Sequence, residues 1–155
     1  MESVLLPGLV RVLALAMGMM LAGLLWSVAG AESREVLILQ IRVLRGEGLV
    51  STAGSKSASP LLVQVSDETG RPVQGATVSF RLPEDGPGGL FRGGLHTDVA
   101  ITGADGKAAM GTVLWGRTPG PVHIKVVAAK DRTRSGIVVS QYLAEQPARA
   151  ASAAR

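Results

Sequence analysis

The sequence predicts an all-β sandwich of about seven strands, preceded by a signal-peptide helix. Three observations carry this reading. Apolar and polar residues alternate in short segments through the middle of the chain, turn-forming residues separate those segments every roughly 8 to 12 positions, and no window after residue 31 has a helical 3.6-residue repeat.

The first segment is of another kind. An almost unbroken apolar run from Val12 to Val28 follows Arg11 and ends in Ala29, Gly30 and Ala31. Small residues at 29 and 31 fit the A-x-A rule of signal peptidase, so residues 1–31 read as a signal peptide cleaved before Glu32. The competing reading is an uncleaved anchor, because the run approaches the roughly 18 to 20 apolar residues that span a bilayer. Either way the remainder is expected to be exported, whether periplasmic, cell-surface or secreted, touching the membrane only through the N-terminal segment if that stays uncleaved. The chain contains no cysteine, which leaves no thiol for a lipid anchor of the usual bacterial form and no disulfide staple. A packed core must therefore supply the stability of one domain, placed at 32–143.

Within that domain each strand has its own pattern. Residues 35–43 carry Leu37, Leu39, Ile41 and Val43 on one face. Residues 51–59, rich in Ser, Gly and Ala, read as a surface connection. Strands follow at 61–66 and 76–82, with Leu61, Val63 and Val65 on one buried face and Ala76, Val78, Phe80 and Leu82 on the next. Between these two, Asp67 can accept local N–H bonds, Gly70 can take positive φ, and Pro72 pre-sets its own φ. The loop 83–95, with five glycines and two prolines, excludes a helix or a central strand.

Further strands are expected near 97–101, 107–115, 121–128 and 135–143, with Asp105-Gly106 as a type I′ hairpin signal before the second of them. In 121–128, Val122, Ile124, Val126 and Ala128 alternate with His123, Lys125 and Val127, giving one dry face and one wet one. Residues 144–155 lack large apolar side chains and read as a disordered Ala/Arg tail.

Composition argues against several functions. The net charge of +4 survives cleavage, since Glu2 and Arg11 leave together, but the basic residues are scattered along the sequence. Two Trp, two Phe and one Tyr are too few for the stacking that single-stranded nucleic acids require, so no nucleic acid is expected as a partner. Catalysis by a nucleophile has no thiol, no G-x-S-x-G elbow and only His96 and His123 as bases, both read as surface histidines. Asp67, Glu68, Asp85, Asp98 and Asp105 are the carboxylates open to calcium, yet they lack the spacing of a calcium loop. Gly103–Lys107 fails the phosphate-loop pattern in both spacing and the residue after the lysine. No catalytic, cofactor or metal residue is therefore assigned, and the chain is expected not to be an enzyme.

One loop stands out. Leu90, Phe91 and Arg92 lie in the glycine-rich segment, and aromatic and Arg side chains are frequent interface anchors, so Phe91, Arg92 and Trp115 form a candidate interface. The alternative is that Phe91 folds back as a lid on the sandwich.

The order of residues resembles a known family. Pro60, Leu61, Val63, Val65, Asp67, Gly70, Pro72, Val73, Gly75, Val78 and Phe80 are similar to the signature of the bacterial immunoglobulin-like domain, group 1, the module strung along invasin- and intimin-type adhesins. Thr102–Ala108 resembles the family's T-x-x-x-G-x-A turn, and Pro119, Gly120, Val122, Ile124, Val126 and Ala128 its P-G-x-x-x-I-x-V-x-A strand. Gly46–Gly48 falls at the family's glycine-bearing bend. The likeness covers about residues 36–142 and implies an immunoglobulin-like fold and cell-surface adhesion.

It also has limits. The sequence has one copy, no outer-membrane barrel and no lectin-like cap, so no receptor-binding residue carries over. The expected function is a structural or adhesive, non-enzymatic module of the bacterial cell envelope that binds a protein or glycan through loops or a strand edge. A carbohydrate- or small-ligand-binding accessory domain, with Trp115 in a concave aromatic platform, is the alternative.

Overall fold

A computed structural model describes residues 38–147. The segment expected to act as an export signal, with Ala29 and Ala31, the first residues of the 35–43 strand and the residues beyond 147 lie outside the described residues. Ten strands occupy the described part: β1 Gln40–Arg45, β2 Val50–Thr52, β3 Leu62–Ser66, β4 Thr77–Arg81, β5 Gly89–Phe91, β6 Thr97–Ile101, β7 Lys107–Ala109, β8 Val113–Trp115, β9 Gly120–Lys130 and β10 Thr133–Ala144.

They form a three-stranded sheet ordered β1-β3-β7, a five-stranded sheet ordered β2-β10-β9-β4-β6, and a β5-β8 ribbon. Every pair is antiparallel except β2, which lies parallel to β10 at Val50–Thr52.

The period-two pattern sets the core. Leu61, Val63, Val65 and Ala108 from the smaller sheet meet Val78, Phe80, Val122, Ile124, Val126, Ala128, Val139 and Leu143 from the larger one, all buried. Leu39 is buried and Ile41 and Val43 are partly so, which is the face expected of the first strand.

The turn at 67–72 is built as its residues dictate. Asp67 Oδ1 accepts the Thr69 N–H at 2.8 Å, the Arg71 N–H at 2.9 Å and the Thr69 hydroxyl at 2.7 Å. Gly70 has φ +81° and donates to the Asp67 carbonyl at 3.0 Å. These bonds hold the Asp67 carboxyl below its ordinary value, the Thr69 hydroxyl foremost and the Arg71 N–H next. The turn does not join paired strands, however. After a short bridge between Ser66 and Pro72 the chain crosses from the smaller sheet at β3 to the larger one at β4.

Four expectations need correction. Residues 107–115 are not one strand: β7 pairs with β3, β8 pairs with β5, and Gly111 lies between them with its N–H bound to Asp98 Oδ2 at 2.7 Å. Asp105-Gly106 is not a type I′ hairpin, because only Gly106 has positive φ, at +70°, and β6 and β7 belong to different sheets. The glycine-rich loop does contain a strand, β5, tolerated because it is three residues long and lies in a two-stranded ribbon. The Ser51–Ser59 connection begins in β2, which also pairs, again over only three residues.

Two of the longest elements extend past their expected ends. β9 and β10 stay paired up to Lys130 and Thr133, leaving Asp131-Arg132 as a two-residue loop with Asp131 at φ +52°.

Candidate functional site

The edges of the two sheets are where a partner strand can add, and the sequence protects them unequally. β1 carries Arg42 and Arg45 and a register shift between Val43 and Arg45. β2 and β7 are three residues each, and β7 starts with Lys107. These are the ordinary ways of blunting an edge. β6 has none of them on its outer side: Thr97–Ile101 is five residues without Pro, Lys, Arg or bulge, paired only with β4.

The hydrogen-bond phase of β6 follows from its two ends. Leu82 donates to the His96 carbonyl and Thr102 donates to the Ala76 carbonyl, so even-numbered residues face β4. The N–H and C=O groups of Thr97, Val99 and Ile101 therefore point away from the sheet. The side chains of Val99 and Ile101 are 58% and 69% exposed on its outer face. Asp98, on the opposite face, is held by Gly111 and ties the strand to the rest of the sandwich.

Beside β6 the outer sheet face carries Arg81 on β4 and Lys125 on β9, opposite one another in the ladder. Arg81 meets Glu84 at 2.7 Å, and that hydrogen bond, with the guanidinium charge, holds the Glu84 carboxyl below its ordinary value. His123 is exposed on the same face, with Nδ1 3.1 Å from Ser140 Oγ. His96 is half-buried instead, its Nδ1 enclosed without a partner, and so is not the plain surface histidine expected.

The three residues of the loop interface differ in burial. The β5-β8 ladder sets Gly89 opposite Trp115 and Phe91 opposite Val113, so tertiary structure does bring the loop to Trp115. Phe91 and Trp115 are nevertheless core residues, 6% and 3% exposed, and their rings are not free for a partner. An apolar side chain on a small domain is drawn inward, and Phe91 takes the alternative, inward-folded position. Arg92 remains exposed and, with Lys56, Leu90, Phe91, Thr112 and Leu114, lines an open recess of about 530 Å³. The buried Trp115 offers no aromatic platform for a sugar.

Three of the acids considered for calcium are engaged in local bonds. Asp67 closes its own turn; Asp98 holds Gly111; Asp105 accepts the Lys107 N–H at 3.1 Å and pairs with its ammonium at 3.3 Å. Among the described residues no three His, Asp or Glu side chains group as a metal set. Sequence reasoning missed β6 as a distinctive edge. Its signal was the absence of charge and proline on the outer side of TDVAI, which means nothing until the strand order makes this segment an edge.

Two sheets of mainly antiparallel strands, with connections that cross between them around one core, define an immunoglobulin-like β-sandwich. No protein-family model matches the sequence, and no curated protein does. Among solved structures, a PapD-like domain of human CEP192 (PapD-like domain 7) is similar over 70% of this chain and 86% of that one, at 12% identity and a TM-score of 0.35. A likeness at that score carries no argument about function.

Proposed function

We propose that this chain is an exported, non-enzymatic immunoglobulin-like module of the bacterial cell envelope, structural or adhesive in role, that binds an extended segment of a partner protein by strand addition to β6. The observation that carries the reading is the bare edge of β6, where the backbone groups of Thr97, Val99 and Ile101 are unpaired beside two exposed apolar side chains. Main-chain bonds would supply affinity, and Val99 and Ile101 would select a segment with apolar residues opposite them. Export rests on the Val12–Val28 run and the Ala29 and Ala31 site, and the envelope role on the resemblance to group 1 bacterial immunoglobulin-like domains.

Substitution of Val99 by proline tests the reading. The Val99 N–H faces outward and makes no bond to β4, so proline removes a donor the sandwich does not use while blocking an added strand. Immobilised full-length chain is expected to capture partner protein from envelope extracts, and Val99→Pro, shown to be folded by circular dichroism, to lose it. An unchanged set of captured proteins with the folded variant would sink strand addition at β6.

A further inference from the structure

Basic residues that are scattered in the sequence converge on the outer face of the five-stranded sheet. The Arg81–Lys125 pair lies four ladder rows from the row that contains Ala129 and Arg134, and the Ser79–Val127 pair lies midway on the same face. Arg81, Lys125, Arg134, Ser79, Val127 and Thr97 line a recess of about 350 Å³. Arg81 and Lys125 also line an adjoining recess of about 650 Å³, together with Pro83, Pro87, Pro121, His123 and the acidic Glu84 and Asp85. The two recesses thus share Arg81 and Lys125, and the smaller one, lined from β4, β6, β9 and β10, has no acidic residue in its lining.

The charges there are available. Among the described residues neither Lys125 nor Arg134 has an ion-pair partner. Arg81 has Glu84, but both side chains are about three-fifths exposed, and a hydrated pair of that kind is easily exchanged for another carboxylate. The hydroxyls are available as well: Ser79 Oγ lies 3.4 Å from its nearest acceptor, beyond the range of a good O–H···O bond, and Thr97 is exposed.

We propose that this face is a binding site for an acidic polysaccharide whose charges are carboxylates. Two guanidinium groups offer planar forks that match a carboxylate in two-point contact, and Lys125 adds a point charge between them. About four residues of strand separate the Lys125 row from the Arg134 row, roughly 13 Å, a distance that a short run of sugar rings spans with its carboxylates at either end. Ser79 and Thr97 meet sugar hydroxyls along the way. A nucleic acid would need a series of stacking aromatics, and these recesses contain no Phe, Tyr or Trp. The site stands on charge and register alone and does not depend on strand addition at β6.

The test uses purified full-length chain in mild detergent and immobilised polygalacturonate, with neutral dextran and dextran sulfate as comparison polymers. Binding to polygalacturonate and not to dextran is expected. The triple variant Arg81→Gln, Lys125→Gln, Arg134→Gln should weaken it about thirtyfold, at about threefold per exposed cation, and Lys125→Gln alone about threefold.

A charge-matched triple on other surfaces, Arg42→Gln, Arg45→Gln, Arg71→Gln, should leave binding nearly unchanged. Glu84→Gln, which frees Arg81 from its internal competitor, should tighten it. Equal loss in both triples would reduce the effect to net charge and overturn the site. So would absence of binding, equal binding to dextran, or a preference for dextran sulfate over the polycarboxylate. Val99→Pro should bind polygalacturonate like the parent chain, so failure of the strand-addition reading and failure of this one are distinguishable.

Discussion

Replacing Thr102 by valine would test how the sandwich is clamped where the chain leaves β6. Thr102 is 3% exposed; its hydroxyl accepts the Ala76 N–H at 2.8 Å and donates to the Val73 carbonyl at 2.6 Å. One side chain thereby satisfies two buried backbone groups of the crossing between β3 and β4. Valine keeps the shape and removes both bonds, leaving a donor and an acceptor buried without partners. Each such orphan costs about 1 to 3 kcal/mol, so Thr102→Val is expected to lose about 2 to 6 kcal/mol. For a domain of this size that lowers Tm by roughly 10 to 30 °C.

The assay is urea unfolding of the full chain, with Thr102→Ser as the comparison that restores the hydroxyl. The midpoint should fall for valine with little change in slope, and recover for serine. A valine variant within about 0.5 kcal/mol of the parent, or a serine variant as weak as valine, would refute the clamp, since surface-like tolerance of that order is what an uninvolved hydroxyl would give.

Two further outcomes follow from the turns. Gly70 and Gly106 both have positive φ, but a Cβ on Gly70 meets open space while one on Gly106 would strike the Val65 carbonyl oxygen and approach Pro72. Gly70→Ala should therefore cost only the left-handed penalty of about 1 to 2 kcal/mol, and Gly106→Ala roughly 1 to 3 kcal/mol beyond that, as read by denaturant midpoints; equal losses would contradict the close approach. Asp67 has a folded-state value below its ordinary 3.8, so its ionised form stabilises the fold above that value and the contribution is lost as pH falls through the lower, folded one. Asp67→Ala should lower the midpoint at about pH 7, and the deficit should shrink as pH falls through the lowered folded-state value; a deficit that persists undiminished in acid would show that the carboxylate charge is not what matters.

Much of the fold is legible in local chemistry. Leu61, Val63 and Val65 announce a half-buried strand because side chains alternate faces, and Asp67 and Gly70 announce a turn because one can cap it and the other can adopt its φ. The candidate sites are less legible. Phe91 and Trp115 resemble interface anchors by residue type, but burial turns both into core, and type alone cannot tell an anchor from a lid. Thr102 is conspicuous only as part of a turn-like string; its task depends on Val73 and Ala76, far away in sequence.

The sequence by itself determined which segments are extended, which faces of them are apolar and where tight turns fall, because those properties depend on residues within a few positions of one another. Only the tertiary structure decided that 107–115 divides between two ladders, that β6 ends as an unprotected edge, and that Arg81, Lys125 and Arg134 share one surface. Strand order and register depend on pairing between distant segments, and a single period-two pattern fits many partners. The same strand can be central or marginal, and the same arginine isolated or clustered, until the neighbouring strands are fixed.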